Sequence, residues 1–378
     1  MNRKNKSTIS ITITQSIAAC HQQWDALLPT QHHLKSEYLQ AFELANINDV
    51  VTNYVIVYLK EKAIGVLYLQ QFSFKQQHVN FNHHQAVVSK LLQIILPKQL
   101  PILICGHLFR INFQGFYFKN DAHKLLVFEA IDLFVQLKND KPCGIIVKDC
   151  IEIFVQQGCT LHGYRFFGGD VTMEVCKRDH WMVFDDYIND LQKKYKQRAK
   201  KIIQSFNGIT VLPLNAAEIL LHANSIDALY WNVVHKQTIK LGTVNAAYFY
   251  QLKLSMQQNF ECNALFLNDK MVGFYTYIFY NNSMETHYIG LDYAANKTHN
   301  IYFNILFAGI QKMIEGKYQS LELGRTAKEA KANTGALPKQ IFNYIKVKNI
   351  LINWAINYVV NRFNTAENKK LHHRNPLK

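Results

Sequence analysis

Lys331 stands four residues before Gly335, just past an apolar run, Ser320–Leu323, that reads as a strand. An ammonium at that place can hold a phosphate, or neutralise the negative charge that develops on a tetrahedral intermediate. Lys328 precedes it by three residues, a spacing that equally fits a solvated helix face for both lysines. Glu285 and His287 lie two apart in the strand-like run Met284–Leu291, so both point to one face. A carboxylate and an imidazole on one face can supply a general base to an ammonium nucleophile, which must lose a proton before it attacks. A half-exposed strand surface explains the same pair. Tyr288 and Tyr302 are candidate proton donors to a leaving thiolate, although the chain has 20 tyrosines and core or rim packing suits each of them. Arg325 follows the Ser320–Leu323 strand directly. Its fork suits bidentate binding of phosphate or carboxylate, and pairing with Glu322 or Glu329 suits it as well.

A second constellation is basic. Lys193, Lys194, Lys196, Arg198, Lys200 and Lys201 crowd one segment, while Ile188, Leu191, Tyr195, Ala199, Ile202 and Phe206 recur at steps of three and four. The pattern predicts one helix over Asp185–Phe206, apolar on one side and capped by Asp185 or Asp186. Its charged side suits an anionic substrate, or is simply solvated.

These residues need elements to hold them. The 378-residue chain is 49% hydrophobic and 18% charged, enough for a large core and against disorder. Its length fits two or three domains. Ile9–Thr14 reads as a strand, with Gln22–Leu28 and Ser36–Asn46 as helices, the latter capped by Ser36. Asn53–Leu59 and Ala63–Phe74 flank a turn at Lys60-Glu61-Lys62. Strand Ile102–Cys105, helix Ala122–Leu137 and strand Gly144–Lys148 follow, then a strand pair over Arg165–Cys176. After helices Ala216–Lys240 and Ala246–Gln258, the order hairpin, strand, helix, strand recurs: Ala264–Leu267 and Met271–Tyr280, then Met284–Leu291, Ile301–Glu315 and Ser320–Leu323. Trp231, His235 and Tyr248 are expected in the core of that second half.

Other chemistry is disfavoured. Seven scattered cysteines form no CxxC pair, which argues against a disulfide framework or a cysteine zinc site and favours a reducing, cytoplasmic setting. No HExxH, Walker-type loop or GxGxxG occurs. No metal, redox or tightly bound cofactor is expected. The Ile17-Ala18-Ala19-Cys20 segment resembles a lipoprotein box, but the alternating Ile9–Thr14 run before it is too polar for a signal core. No stretch approaches a membrane span. The net charge of +15 implies an anionic partner.

The repeated order matches the core of the GNAT fold, where two strands splay apart and their backbone N–H groups grip an acyl donor. Lys194-Tyr195-Lys196-Gln197-Arg198-Ala199-Lys200-Lys201, followed by Gly208-Ile209-Thr210-Val211, resembles the basic inter-domain helix of Fem-type transferases. The segment Gly324-Arg325-Thr326-Ala327-Lys328-Glu329-Ala330-Lys331-Ala332-Asn333-Thr334-Gly335-Ala336 resembles their Lys-x-x-x-Gly signature. Ile289-Gly290-Leu291-Asp292 before the crossover helix is similar to GNAT-type acyltransferases of bacterial envelope and polysaccharide loci.

The resemblance implies an α+β protein of tandem GNAT-like domains, with mostly antiparallel splayed sheets flanked by helices. The domains are expected at 1–180 and 207–364, joined by a basic connector helix at 185–206 and followed by a disordered tail at 365–378. It implies an N-acyltransferase that moves an acyl or aminoacyl group from acyl-CoA or aminoacyl-tRNA to an amine, with an envelope or polysaccharide precursor as one acceptor class. Lys331, Glu285, His287 and Tyr288 are then the catalytic candidates. Arg198, Tyr195, Arg325, Thr326, Lys328, Asp292 and Tyr302 are the binding candidates. Partners would be an anionic small molecule, a lipid- or nucleotide-linked substrate, or tRNA. One departure stands out: where many CoA-using relatives carry a glycine-rich diphosphate loop, this chain reads Tyr293-Ala294-Ala295-Asn296-Lys297-Thr298-His299-Asn300, without glycine. The rival from another class is a non-catalytic binder of nucleic acid or another anionic polymer, although no nucleic-acid-binding signature appears. The apolar segment Ile350–Phe363, with Lys369, Lys370 and Arg374 beyond it, suits packing on the body or peripheral contact with a membrane.

Overall fold

The computed structural model describes residues 9–47, 50–75, 99–152, 156–236, 242–280, 282–349, 353 and 376–378. The chain divides into two compact units. The first takes in 1–170, 238–242 and 341–361, and the second 171–237, 243–340 and 362–378.

In the first unit, strand β1 (Ile9–Thr14) precedes helices α1 (His21–Leu27) and α2 (Ser36–Leu44). Strands β2 (Val50–Leu59) and β3 (Lys62–Lys75) form a hairpin. Its turn residues Lys60 and Glu61 both have left-handed backbone, φ 47° and 66°, as tight hairpin turns require. Strand β4 (Gln99–Cys105) follows, and β5 (Phe116–Phe118) adds to β3. Helix α3 (Leu126–Leu137) then crosses over to β6 (Gly144–Cys150), which runs parallel to β4, with Ile102 opposite Gly144. Val127, Phe128, Ala130, Ile131 and Phe134 of α3 are buried against Leu103, Cys105, Ile145 and Val147. A short helix, α4 (Gln156–Leu161), leads to β7 (Arg165–Cys176). The strand that closes this sheet comes from far along the chain: Ile341–Val347 of β13 (Leu337–Val347) lies antiparallel to β6, with Ile345 opposite Ile146.

The second unit repeats the plan. Helices α5 (Phe184–Asp190) and α6 (Lys193–Ser205) precede the edge strand β8 (Ile209–Leu214) and helices α7 (Ala216–Leu221), α8 (Ala223–Val234) and α9 (Ala246–Met256). Strands β9 (Phe260–Leu267) and β10 (Lys270–Phe279) form the hairpin, turned at Asn268–Asp269. Strand β11 (Ser283–Leu291) leads through α10 (Tyr293–His299) and α11 (Ile301–Glu315) to β12 (Ser320–Glu322), parallel to β11. A short helix, α12 (Lys328–Ala332), comes before β13. Here the closing strand is β7, antiparallel to β12. The strand orders, β1-β2-β3-β4-β6-β13 and β8-β9-β10-β11-β12-β7, correspond position by position. One face of the second sheet packs under α11, whose Ile305, Leu306, Ile310 and Met313 meet Tyr277, Met284 and Leu321.

Several expectations need correction. The helix over Asp185–Phe206 is broken at Leu191, which is extended (φ −67°, ψ 139°) and bridges to Leu377. The Gln192 N–H donates to the Pro376 carbonyl at 2.8 Å, and the Lys378 N–H to the Asp190 carbonyl at 2.9 Å. Residues 376–378 are therefore docked, against the expected disordered tail; 365–375 lie outside the described residues, as does Ile350–Phe363 apart from Asn353. Val183 holds the N-cap position of α5, and the Asp186 carboxylate accepts from the Met182 and Val183 N–H groups. Ser36 is the first residue of α2, and Lys35 precedes it as cap. The helix expected over Ala216–Lys240 is split at His222, and 237–240 lie outside the described residues. Arg165–Cys176 is one strand, because both Gly168 (φ 107°) and Gly169 continue it.

The domain limits also move. Residues 171–180 belong to the second unit and 341–349 to the first. The basic helix is part of the second unit's core, where Ala199 and Ile202 are buried with α11, so it is no free-standing connector.

Candidate functional site

Parallel pairing of β11 with β12 covers only three positions and ends at Glu285 opposite Glu322. Beyond that point β12 continues along β7: the Leu323 N–H donates to the Met173 carbonyl at 2.8 Å, and the Met173 N–H to the Gly324 carbonyl at 3.2 Å. Strand β11 instead runs on beside β10 to Leu291. The two strands thus diverge after Glu285.

Just past the divergence β11 is bulged. Thr286 pairs with Tyr277 and Ile289 with Tyr275, so His287 and Tyr288 together oppose Thr276. The Thr276 hydroxyl accepts from the Tyr288 N–H at 2.9 Å. A bulge re-aims side chains, and here His287 and Tyr288 both meet the ring of Tyr248 on α9. Their own rings are 4.5 Å apart, and His287 Nε2 lies 3.3 Å from the Tyr248 hydroxyl. Met284 belongs to the core beneath α11, so strand alternation puts Glu285 and His287 together on the opposite face. Tyr288 joins them through the bulge, which the sequence did not announce. Of the three residues expected in the core here, Tyr248 is fully buried, but Trp231 is 38% exposed and stacks near His235.

Glu322 occupies the same face of β12. It is buried, accepts a hydrogen bond from the Thr172 hydroxyl of β7, and has Glu285 and Glu174 as its cross-strand neighbours. Glu174 pairs with Lys339 at 3.3 Å. Lys331 is only 3% exposed, and its amine donates to the Gly324 carbonyl at 3.0 Å. Burial pushes that amine down to about 7; Glu322 opposes the shift and Lys328 adds to it. The solvated reading of Lys331 therefore fails, while Lys328 is half-exposed and Arg325 and Thr326 are exposed.

Backbone geometry explains the burial. Gly324 (φ 77°), Ala327 (φ 51°) and Gly335 (φ 89°) are all left-handed, so the segment folds back on the end of β12. Left-handed backbone at a residue with a Cβ, here Ala327, is a strained state found preferentially at functional sites. At Gly335 a Cβ would lie 3.0 Å from the end of the Leu377 side chain, which would have to shift to admit it.

The basic helix reaches the same segment. Tyr195 and Arg198 of α6, Phe303 and Phe307 of α11, and Asn333 and Thr334 beyond Lys331 line one shallow pocket. The Arg198 guanidinium is exposed and lies 5.0 Å from the centre of the Phe303 ring. Lys193, Lys194, Lys200 and Lys201 are exposed along α6.

At the crossover helix the expected donor-binding role of Asp292 is not supported. Its carboxylate caps α10, accepting from the Ala294 and Ala295 N–H groups at 2.9 and 3.1 Å, and pairs with Lys270 at 3.5 Å. Those amide bonds first, helped by Lys270, hold it below the usual carboxylate range. At the start of α11 the Tyr302 N–H donates to Asn296 Oδ1 at 2.7 Å, and the Asn300 side-chain amide donates to Ser205 Oγ at 2.9 Å. Burial pushes the Tyr302 hydroxyl well above its ordinary range. A diphosphate is held by free N–H groups at such a place, and here the Ala294, Ala295 and Tyr302 N–H groups already have side-chain acceptors.

Glu322 and Thr172 are the residues that sequence reasoning missed. The signal was present: Glu322 is an acid inside the apolar strand Ser320–Leu323, where only a partner makes it tolerable.

No family model and no curated protein matches the sequence. Solved structures do match in fold. FemX aligns with a TM-score of 0.54 at 12% identity, covering 89% of this chain and 98% of that one. The C-terminal domain of a lysylphosphatidylglycerol synthetase from Agrobacterium fabrum aligns at 0.52 and 10% identity, covering 92% and 96%. A tandem GNAT protein from the clavulanic acid biosynthesis pathway aligns at 0.52 and 9% identity, covering 90% and 98%. The chain has the tandem GNAT, Fem-like fold that its element order implies.

Proposed function

We propose that the second unit is an N-acyltransferase that moves an acyl or aminoacyl group from an activated ester or thioester to an amine. The observation that carries this reading is the divergence of β11 and β12, with Glu285, His287 and Tyr288 on one face and the buried Lys331 amine folded back onto the end of β12. The donor carbonyl would lie in the divergence. The acceptor nitrogen attacks its carbon, the C–N bond forms, and the carbonyl electrons move to oxygen. His287 or Glu285 takes the proton that the amine sheds. Collapse of the oxyanion breaks the bond to the carrier, which leaves with a proton. Lys331 stabilises the oxyanion while it exists, and positioning of the two substrates contributes much of the acceleration.

The closed amides at Asp292 weigh against a donor gripped by a CoA diphosphate at the crossover helix. The exposed lysines of α6 and the Arg198 pocket favour a polyanionic carrier, so aminoacyl-tRNA is preferred over acyl-CoA. FemX and a lysylphosphatidylglycerol synthetase share the fold, which supports a tRNA- or lipid-linked substrate within the same reading. No helix among the described residues is long and apolar enough to cross a membrane.

Mass spectrometry of reactions that pair charged tRNAs and acyl-CoAs with an amine panel tests the proposal. Transfer is expected, with Lys331→Ala lowering turnover about 10²–10³-fold and Lys328→Ala much less. Absence of transfer from every donor, or equal small effects of the two changes, overturns it.

A further inference from the structure

Glu322 and Lys331 are the two buried charged side chains among the described residues of the second unit. Two such groups are rarely buried apart, because an unpaired ion in the interior costs several kcal/mol. They come close through the chain itself. The Lys331 amine binds the carbonyl of Gly324, two residues beyond Glu322, and the two side chains are electrostatically coupled.

The carboxylate accepts a hydrogen bond from the Thr172 hydroxyl. The charged groups that face it from neighbouring strands are Glu285 on β11 and Glu174 on β7, the latter already paired with Lys339. Lys328 on α12 is the cation that acts on Lys331, and Arg325 lies exposed next to Gly324. Glu322 is thus a buried anion, bonded by Thr172, two residues from the carbonyl that the buried Lys331 amine binds, at the point where β11 and β12 part.

We propose that Glu322, bonded by Thr172, is a positioning residue that holds the Lys331 ammonium at the strand divergence. Its catalytic consequence rests on the transferase reading; its electrostatic content does not. The physical reason is direct: desolvation favours the neutral amine, and an adjacent carboxylate favours the ammonium. Removing the carboxylate must lower the amine's midpoint. Thr172 acts one step back, because without its hydroxyl the carboxylate can turn away from the amine.

The test is an NMR titration of the whole protein carrying ε-¹³C lysine, with the Lys331 signal identified by its loss in Lys331→Gln. Glu322→Gln keeps shape and removes charge, and is expected to lower the Lys331 midpoint by about one unit or more. Thr172→Val is expected to lower it by less. Midpoints unchanged in both variants overturn the proposal. If Glu322→Gln does not fold, which circular dichroism reads, Thr172→Val alone decides by the same criterion.

Where transfer is measurable, the alkaline limb of the kcat/KM profile should move to lower pH with Glu322→Gln, a change that mere loosening of the fold would not produce. The two readings fail separately. A shifted midpoint without transfer from any donor removes the transferase reading and leaves this one. An unshifted midpoint, with turnover still lost in Lys331→Ala, does the reverse.

Discussion

A buried lysine makes folding itself sensitive to pH. The Lys331 amine titrates near 7 in the folded chain against an ordinary 10.5, so between those values the unfolded chain binds more protons. Stability must therefore rise with pH across that window and level off above it. Lys331→Met keeps the length of the side chain and removes the titration. The variant is expected to be more stable than the wild type near pH 7, by on the order of a few kcal/mol, with the advantage shrinking towards pH 10. Urea unfolding at intervals of one pH unit checks this, and a pH-independent difference would show that the amine is not desolvated. The same desolvation makes Lys331 a weak spot in the fold, which separates it from the half-exposed Lys328 three residues earlier on the same short helix.

The elbow between α5 and α6 belongs to the scale of elements. It exists because Leu377 and its neighbours pair with Asp190–Gln192, and it sets the course of the helix that carries Tyr195 and Arg198. Leu377→Ala is expected to cost about 2–4 kcal/mol, as for other buried leucines. Gly335→Ala should cost about 1–2 kcal/mol for its left-handed backbone alone, with a further penalty from the clash with Leu377. A double-mutant cycle should therefore show coupling of about 0.5 kcal/mol or more; strict additivity would mean that the two residues do not press on each other. The break also shows where sequence reading stops. The hairpins, the crossover helices and the repeat were legible, since turn residues and apolar periodicity are local. The apolar period of Ile188, Leu191 and Tyr195 runs straight through the break, because what breaks it lies almost two hundred residues away. Lys331 looked solvated for a related reason: three left-handed residues, one of them an alanine, fold its segment inward. Asp292 reads as part of a donor site from its place before the crossover helix; its carboxylate caps the helix that follows, a local role its sequence position also allowed.

At the scale of the whole chain, each unit's sheet is closed by a strand remote in sequence from its neighbour in that sheet. The first needs Ile341–Val347, and the second needs its own first strand, Val171–Cys176. A fragment ending at residue 170 should then fail to reach native packing, since it lacks the buried Ile341, Tyr344 and Ile345, the Asn343 Oδ1 that accepts from the Asp149 N–H, and the Lys346 amine that donates to Asp132. Near-UV circular dichroism is expected to be weak and dye binding strong, with both moving towards native values on addition of a peptide spanning 337–349. A well-packed fragment would contradict the arrangement. The closure has a consequence for a chain still being made. Synthesis proceeds at about 5–20 residues per second, so the interval between residues 170 and 341 is on the order of 10–30 s. Throughout it the edge of β6 stands bare, a template for pairing with another nascent chain. The second sheet, by contrast, has every one of its strands as soon as β12 emerges. On the ribosome, the half that is translated last completes its sheet first.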